Sequence, residues 1–277
     1  MAERVRVTTD GGVADVRLDR PDKLNALDPA MFAAIVEAGE ALKDDTSVRA
    51  VVLSGEGRGF CAGLDFSSFQ AMASPGDGGG AAGDGGGAGA IGRTDGRLTH
   101  LGQQAAWVWT ELPVPVIAAV HGPCLGGGLQ IALGADLRIV APDATLSVLE
   151  VRWGITPDMT ATVTLPRLVG IDVAKELTWT GRTVRGEEAV RLGLATRLAD
   201  DPRAAALELA GELAGKSPHA IRAAKALFDP AARRTLAEQL VEERRAIGSL
   251  IGSPNQVEAV TAFFEKRAPA FQDAPTA

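Results

Sequence analysis

The chain predicts an α/β domain on a mostly parallel sheet. Short apolar runs rich in β-branched residues alternate with longer segments of helical period, and two of the runs end in glycine-bearing turns. In order, residues 4–9 and 13–18 alternate as two strands, with Gly11-Gly12 as their hairpin turn. Asp28-Pro29 opens a helix to about residue 44, because Asp can cap and Pro is tolerated at the first helical position. Residues 49–54 read as a buried strand. Strand, helix and strand follow over 114–120, 127–135 and 137–140, the pattern of βαβ units. From about Asp158 the chain becomes helical, with short helices expected over 172–178, 186–192 and 203–214. Ser217-Pro218, Asp229-Pro230 and Ser253-Pro254 each read as a cap followed by a first-turn proline. Leu236, Leu240, Ile247 and Leu250 mark one face of a long helix.

Composition narrows the function classes. With 46% hydrophobic residues in 277, the chain can bury a sizeable core. A net charge of −7 and the lack of a long basic run argue against nucleic acid as a partner. No apolar stretch approaches the roughly 20 residues of a membrane span. The first residues lack the apolar core of a signal peptide. Cys61 and Cys124 both lie in glycine turns, which fits a reduced, cytoplasmic setting better than a disulfide framework. Three histidines and two cysteines make a metal site a poor expectation. Between the glycine turns lies a segment, 74–93, holding ten glycines from Gly76 to Gly92. It contains a literal GxGxxG at 87–92, but no strand precedes it, so it is expected to be a flexible loop beside the active site rather than a dinucleotide site.

Chemistry concentrates in two segments. One is Gly59-Phe60-Cys61-Ala62-Gly63-Leu64-Asp65, after Val51-Val52-Leu53; the other is His121-Gly122-Pro123-Cys124-Leu125-Gly126-Gly127-Gly128, after Val116-Ile117-Ala118-Ala119-Val120. Turns this rich in glycine expose backbone N–H groups, the second at a helix start. Two such groups aimed at one point can hold a carbonyl oxygen that gains negative charge. His121 is expected to be structural rather than a base.

The pair resembles the crotonase (enoyl-CoA hydratase/isomerase) family. The resemblance begins at Leu18-Asp19-Arg20-Pro21-Asp22-Lys23-Leu24-Asn25-Ala26-Leu27 and includes Leu165-Pro166-Arg167-Leu168-Val169-Gly170, Thr180-Gly181-Arg182 and Glu188-Ala189-Val190-Arg191-Leu192-Gly193-Leu194. It ends at Phe263-Phe264-Glu265-Lys266-Arg267-Ala268-Pro269. It implies a ClpP-like crotonase fold, with repeated ββα units forming a spiral, mostly parallel sheet. It further implies a catalytic core over 1–200 and a helical trimerisation region over 201–277. By the same resemblance, the N–H groups of Leu64 and Gly127 are the oxyanion donors, with Gly63 and Gly126 among the substrate contacts. Coenzyme A would meet Lys23, Asn25, Ala26, Ala62 and Asp65, and its nucleotide end Phe263 and Lys266 across a subunit boundary. The expected partners are an acyl-CoA substrate and further copies of the chain, in a homotrimer or hexamer. Coenzyme A is part of the substrate, so no separate cofactor is expected.

The acids decide the reaction. The hydratase pattern has one glutamate just after the second glycine turn and another twenty residues later; here these positions hold Gln130 and Glu150. An amide cannot exchange a proton at neutral pH, though it can orient a water or a carbonyl. Asp158, eight residues after Glu150, matches an acid that shuttles protons in isomerases of the family. An apolar acyl pocket lined by residues such as Trp153 would raise a carboxylate's pKa. Alternative readings make Glu150 a salt-bridge partner, Asp158 a helix N-cap, and the second turn's glycines mere packing. Double-bond isomerisation of an enoyl- or dienoyl-CoA is thus expected ahead of 2-enoyl-CoA hydration, a dehalogenase or thioesterase using Asp158 as nucleophile, and a silent acyl-CoA binder.

Overall fold

The computed structural model describes residues 4–65 and 96–274; the glycine-rich segment 74–93 lies outside the described residues. Strands β1 (Val5–Asp10) and β2 (Val13–Leu18) pair antiparallel, closed by Gly11 and Gly12 at φ 55° and 80°, the left-handed backbone that a two-residue hairpin turn requires. Helix α1 (Pro29–Asp44) starts behind Asp28, whose side chain accepts from Met31 N at 2.8 Å. The remaining elements are β3 (Ala50–Gly55), α2 (Leu101–Glu111), β4 (Val116–Val120), β5 (Pro123–Leu125), α3 (Gly127–Leu133), β6 (Leu137–Val140), β7 (Thr145–Ser147), α4 (Ala161–Val169), α5 (Ile171–Thr180), β8 (Val184–Arg185), α6 (Gly186–Leu192), β9 (Arg197–Leu198), α7 (Pro202–Ala214), α8 (Pro218–Phe228), α9 (Leu236–Leu250) and α10 (Pro254–Glu265).

The main sheet runs β1-β2-β3-β4-β6-β9, parallel except for the first hairpin. Its central strands are buried on both faces. Val51 and Leu53 of β3, with Val116, Ala118 and Val120 of β4, join the large core under α1 and α2. Their neighbours Ala50, Val52, Ile117 and Ala119 face the other way, onto Ala206 and Ala210 of α7. That double burial is why residues 50–53 read as one continuous apolar run. The expectation of a mostly parallel α/β sheet holds.

A second sheet, β5-β7-β8, was not expected. Its strands are only two or three residues long, too short for a periodicity signal.

Two further expectations change. Asp229 does not cap a following helix: it is the C-terminal flank of α8, and α9 starts behind Thr235, whose capping box with Glu238 fills that role. The boundary at 200 cuts off α7, which closes the core, so the core extends through Ala214. Beyond it, α9 buries none of its residues against this chain, and Leu236, Leu240 and Ile247 are exposed. Among the described residues no helix is long and apolar enough to cross a membrane.

Gly211, mid-helix in α7, offers a clean test of helix propensity. A Cβ there meets nothing within 4 Å. Gly211→Ala is expected to stabilise by about 0.5–1 kcal/mol, raising Tm by roughly 1–4 °C in a thermal melt.

Candidate active site

The site forms because four short segments are stitched side by side. After β3 the chain turns back through residues 59–65. On one side this loop pairs with β5: Cys61 N donates to Pro123 O at 3.0 Å and Leu125 N to Cys61 O at 2.9 Å. On the other it pairs with Leu27: Leu27 N donates to Gly63 O at 2.8 Å and Asp65 N to Leu27 O at 3.0 Å. In such a parallel bridge the amide of the middle residue, Leu64, points away from Leu27. Among the described residues neither the Leu64 N–H nor the Gly127 N–H has a backbone acceptor. Gly127 is the first residue of α3, where intrahelical acceptors are lacking.

The glycines are there because the two turns touch. A Cβ on Gly63 would lie 2.7 Å from Leu125 O and 3.7 Å from Gly127 N; one on Gly128 would lie 2.5 Å from Cys61 O. Gly63 also has φ 87°. Gly127 has no room either: a Cβ there would lie 2.8 Å from Leu27 Cδ1 and 3.0 Å from Met159 Sδ. The glycines pack the two turns together, and the same turns leave the Leu64 and Gly127 amides without a backbone acceptor among the described residues.

Glu150 reaches the second turn through the small sheet. Leu125 of β5 pairs with Ser147 of β7, and Gly126 N donates to Ser147 O at 2.9 Å. Three residues on, Glu150 Oε1 lies 3.4 Å from where a Gly126 Cβ would be. The side chain is buried at 7% exposure, and no salt bridge to it forms among the described residues. The reading of Glu150 as a partner in a surface salt bridge therefore fails within this chain. Gln130 Nε2 donates to its Oε1 at 2.6 Å, while Oε2 is buried without a protein partner among the described residues. Burial pushes the carboxyl above the usual glutamate range; the Gln130 amide pulls the other way, and the nearby Asp158 charge adds to the rise.

Gln130 is itself 1% exposed, and its Oε1 accepts from Met159 N at 2.9 Å and Ala161 N at 3.2 Å. It therefore engages the protein at both ends, unlike the water- or carbonyl-orienting group expected from sequence. Asp158 stands more open. Burial of its carboxyl raises its pKa, and attraction to His100 opposes that. Thr160 occupies the N-cap position of α4, so Asp158 is not that cap. His100, with no readable role in the sequence, caps α2 by accepting from Gln103 N through Nδ1. His121 is structural, as expected: its ring nitrogen Nε2 bonds Gly57 O at 3.0 Å.

Asn25 is wholly buried; its Nδ2 donates to Glu56 O, Gly59 O and Phe60 O, and its Oδ1 accepts from Arg20 N. Its side chain shapes the first turn rather than facing a ligand. Asp65 likewise is buried and takes Arg20 Nη1 at 2.6 Å, while Ala26 O accepts from the same guanidinium at 3.1 Å. Lys23 is exposed and Ala62 partly so, beside the turn. Trp153 is 49% exposed in this chain. Phe263 and Lys266 lie at the exposed end of α10, and none of the described hydrogen bonds or core contacts joins them to the glycine turns or Glu150. Cys61 and Cys124 are fully buried, and burial pushes the Cys61 thiol up to about 12, which excludes it as a thiolate nucleophile at neutral pH.

The comparisons with known proteins converge. The family model "Enoyl-CoA hydratase/isomerase" matches residues 13–276. The chain is 33% identical over 267 residues to a mouse protein named enoyl-CoA hydratase domain-containing protein 2, mitochondrial, covering 94% of this chain and 84% of that one. It is 33% identical over 261 residues to the short-chain-enoyl-CoA hydratase of Clostridium acetobutylicum, covering 93% of each. Among solved structures it superposes on the enoyl-CoA hydratase of Bacillus anthracis with a TM-score of 0.82 at 28% identity, covering 97% of this chain and 98% of that one. Fold, order of motifs and extent of the match agree, and the chain belongs to the enoyl-CoA hydratase/isomerase, or crotonase, family.

Proposed function

We propose that the chain moves a double bond within an enoyl- or dienoyl-CoA through an enolate held by the N–H groups of Leu64 and Gly127. The observation that carries this reading is the acid inventory: one buried carboxylate, Glu150, beside the Gly126-Gly127 turn, with an amide at 130 and a second carboxylate at Asp158. The thioester oxygen sits between the two amides. Glu150 takes a proton from the carbon next to the thioester, and the C–H electron pair delocalises onto the oxygen. The proton is returned at a carbon further along the chain, by Glu150 or Asp158, and the C=C shifts. Each amide contributes about 10²–10³ in rate. A raised carboxylate pKa suits both halves of the transfer.

The same reading assigns coenzyme A to Lys23, Ala26 and Ala62, and its nucleotide end to Phe263 and Lys266 of a neighbouring copy. The exposure of Phe263, and of Leu236, Leu240 and Ile247 on α9, supports a homo-oligomer. Hydration of 2-enoyl-CoA is the second reading, favoured by the names of the relatives. It stands second because Gln130 cannot share activation of a water as a carboxylate would.

Incubating the protein in deuterated water with 2-enoyl-, 3-enoyl- and dienoyl-CoA separates the two by mass. The expected result is conversion of a 3-enoyl- or dienoyl-CoA to an isomer with no gain of water, with deuterium at the new C–H wherever the carrying carboxyl exchanges with solvent before it gives the proton back. Addition of one water to 2-enoyl-CoA, with the other substrates unchanged, would overturn isomerisation in favour of hydration.

A further inference from the structure

The amide at position 130 has a polarity that the fold dictates. Two backbone donors, Met159 N and Ala161 N, converge on one end of it, at 2.9 and 3.2 Å. That end must be the oxygen, so the NH₂ faces Glu150 Oε1 at 2.6 Å. Reversing the amide would set N–H against N–H and oxygen against carboxylate. The contact therefore tells Glu150 which oxygen is held. Oε1 accepts from a rigid donor on α3, while the equally buried Oε2 has no partner among the described residues. The same anchor fixes Met159, whose Sδ packs 3.0 Å from where a Gly127 Cβ would lie.

We infer that Gln130 is a positioning residue that clamps Glu150 through Oε1, leaves Oε2 as the single proton-carrying atom, and registers that carboxylate against the oxyanion turn through the start of α4. The inference rests on the reading of Glu150 as proton carrier. It makes the amide a permanent donor, which an ionised glutamate there could not be. A carboxylate at 130 could still accept from Met159 N and Ala161 N, but it would set an oxygen against Glu150 Oε1, and like charges that close cannot both ionise. Removing the N–H donor withdraws a bond that favours ionised Glu150. The titratable group acting on Glu150 from the packed elements is Asp158, itself under the influence of His100; Gln130→Glu keeps an acceptor for Met159 N and Ala161 N and so keeps the backbone beside Asp158 held.

The test uses Gln130→Met, which keeps volume without polarity, and Gln130→Glu, which keeps the acceptor for α4. Turnover of a 3-enoyl-CoA is followed against pH, and the Glu150 carboxyl is titrated by carbon-13 NMR, assigned by its loss in Glu150→Gln. In Gln130→Met, kcat is expected to fall about 10²-fold with little change in KM. The acid limb of kcat/KM and the Glu150 titration should both move to higher pH. In Gln130→Glu, two coupled carboxyl titrations should replace one, and this variant keeps the test open if the methionine variant does not fold. Glu150 titrating unchanged in the folded variants would overturn the inference, whatever the turnover. Wild-type protein inert on every enoyl-CoA would instead sink the proposed reaction, and the NMR titration would still decide the clamp.

Discussion

Glu150→Gln is expected to lower kcat on a CoA thioester by about 10²–10⁴ while leaving thioester binding largely intact. The substitution keeps size and an acceptor for the Gln130 amide, and removes only the ability to carry a proton. The same variant carries a stability signature with a definite sign. Burial holds the folded-state pKa of Glu150 above its unfolded value. Its contribution to stability is thus complete below the unfolded pKa and is lost as pH rises through the folded one. Relative to wild type, Glu150→Gln should gain Tm as pH rises from the unfolded glutamate pKa to the raised folded one and hold that gain above it, because no charge then has to be buried. Calorimetric melts across that range, paired with steady-state kinetics, check both halves. Parallel pH profiles of Tm would mean that Glu150 is not buried as described. Wild-type turnover would remove it from the mechanism.

Gly128→Ala is the second large effect expected. Its φ is not in the left-handed region, so the consequence is purely one of space. The added methyl would meet Cys61 O at 2.5 Å, Cβ at 2.7 Å and Sγ at 2.9 Å. Cys61 cannot step aside cheaply, since its N–H and C=O are both paired to β5. Either α3 or the loop 59–65 must shift, and that shift parts the amides of Leu64 and Gly127. A cost of about 1–3 kcal/mol is expected, with Tm lower by several degrees. Loss of one oxyanion contact would cost about 10²–10³ in kcat. The Gly211→Ala variant, an added methyl with nothing to meet, is the matched control. Wild-type Tm and kcat in Gly128→Ala would show that the two turns are not in contact.

Much of this architecture was legible in the chain. Hairpin, α1, the central strands and α3 announce themselves through local rules: paired glycines at 11 and 12, the Asp28-Pro29 start, and apolar runs that the parallel sheet buries on both faces. The two glycine segments were legible as chain turning back after a strand, because glycine opens backbone conformations closed to other residues; that Pro123–Leu125 within the second forms β5 was not. The small sheet, the capping role of His100 and the true start of α9 were not. Each is set by partners distant in the chain or by elements of two or three residues, which leave no periodic trace.

Residue types by themselves determined that the molecule has glycine turns rich in backbone amides and carboxylates at 150 and 158. The order of motifs placed those groups in one family. Only the folded chain decided what each side chain is for. Asn25 and Asp65, candidates for ligand contact, are held by Glu56, Gly59, Phe60 and Arg20, while Gln130 is turned by two backbone donors toward Glu150. The physical reason is that hydrogen bonds and desolvation act over a few ångströms in space. Residues 25, 61, 127, 130, 150 and 159 become neighbours only once two glycine turns pack without side chains between them.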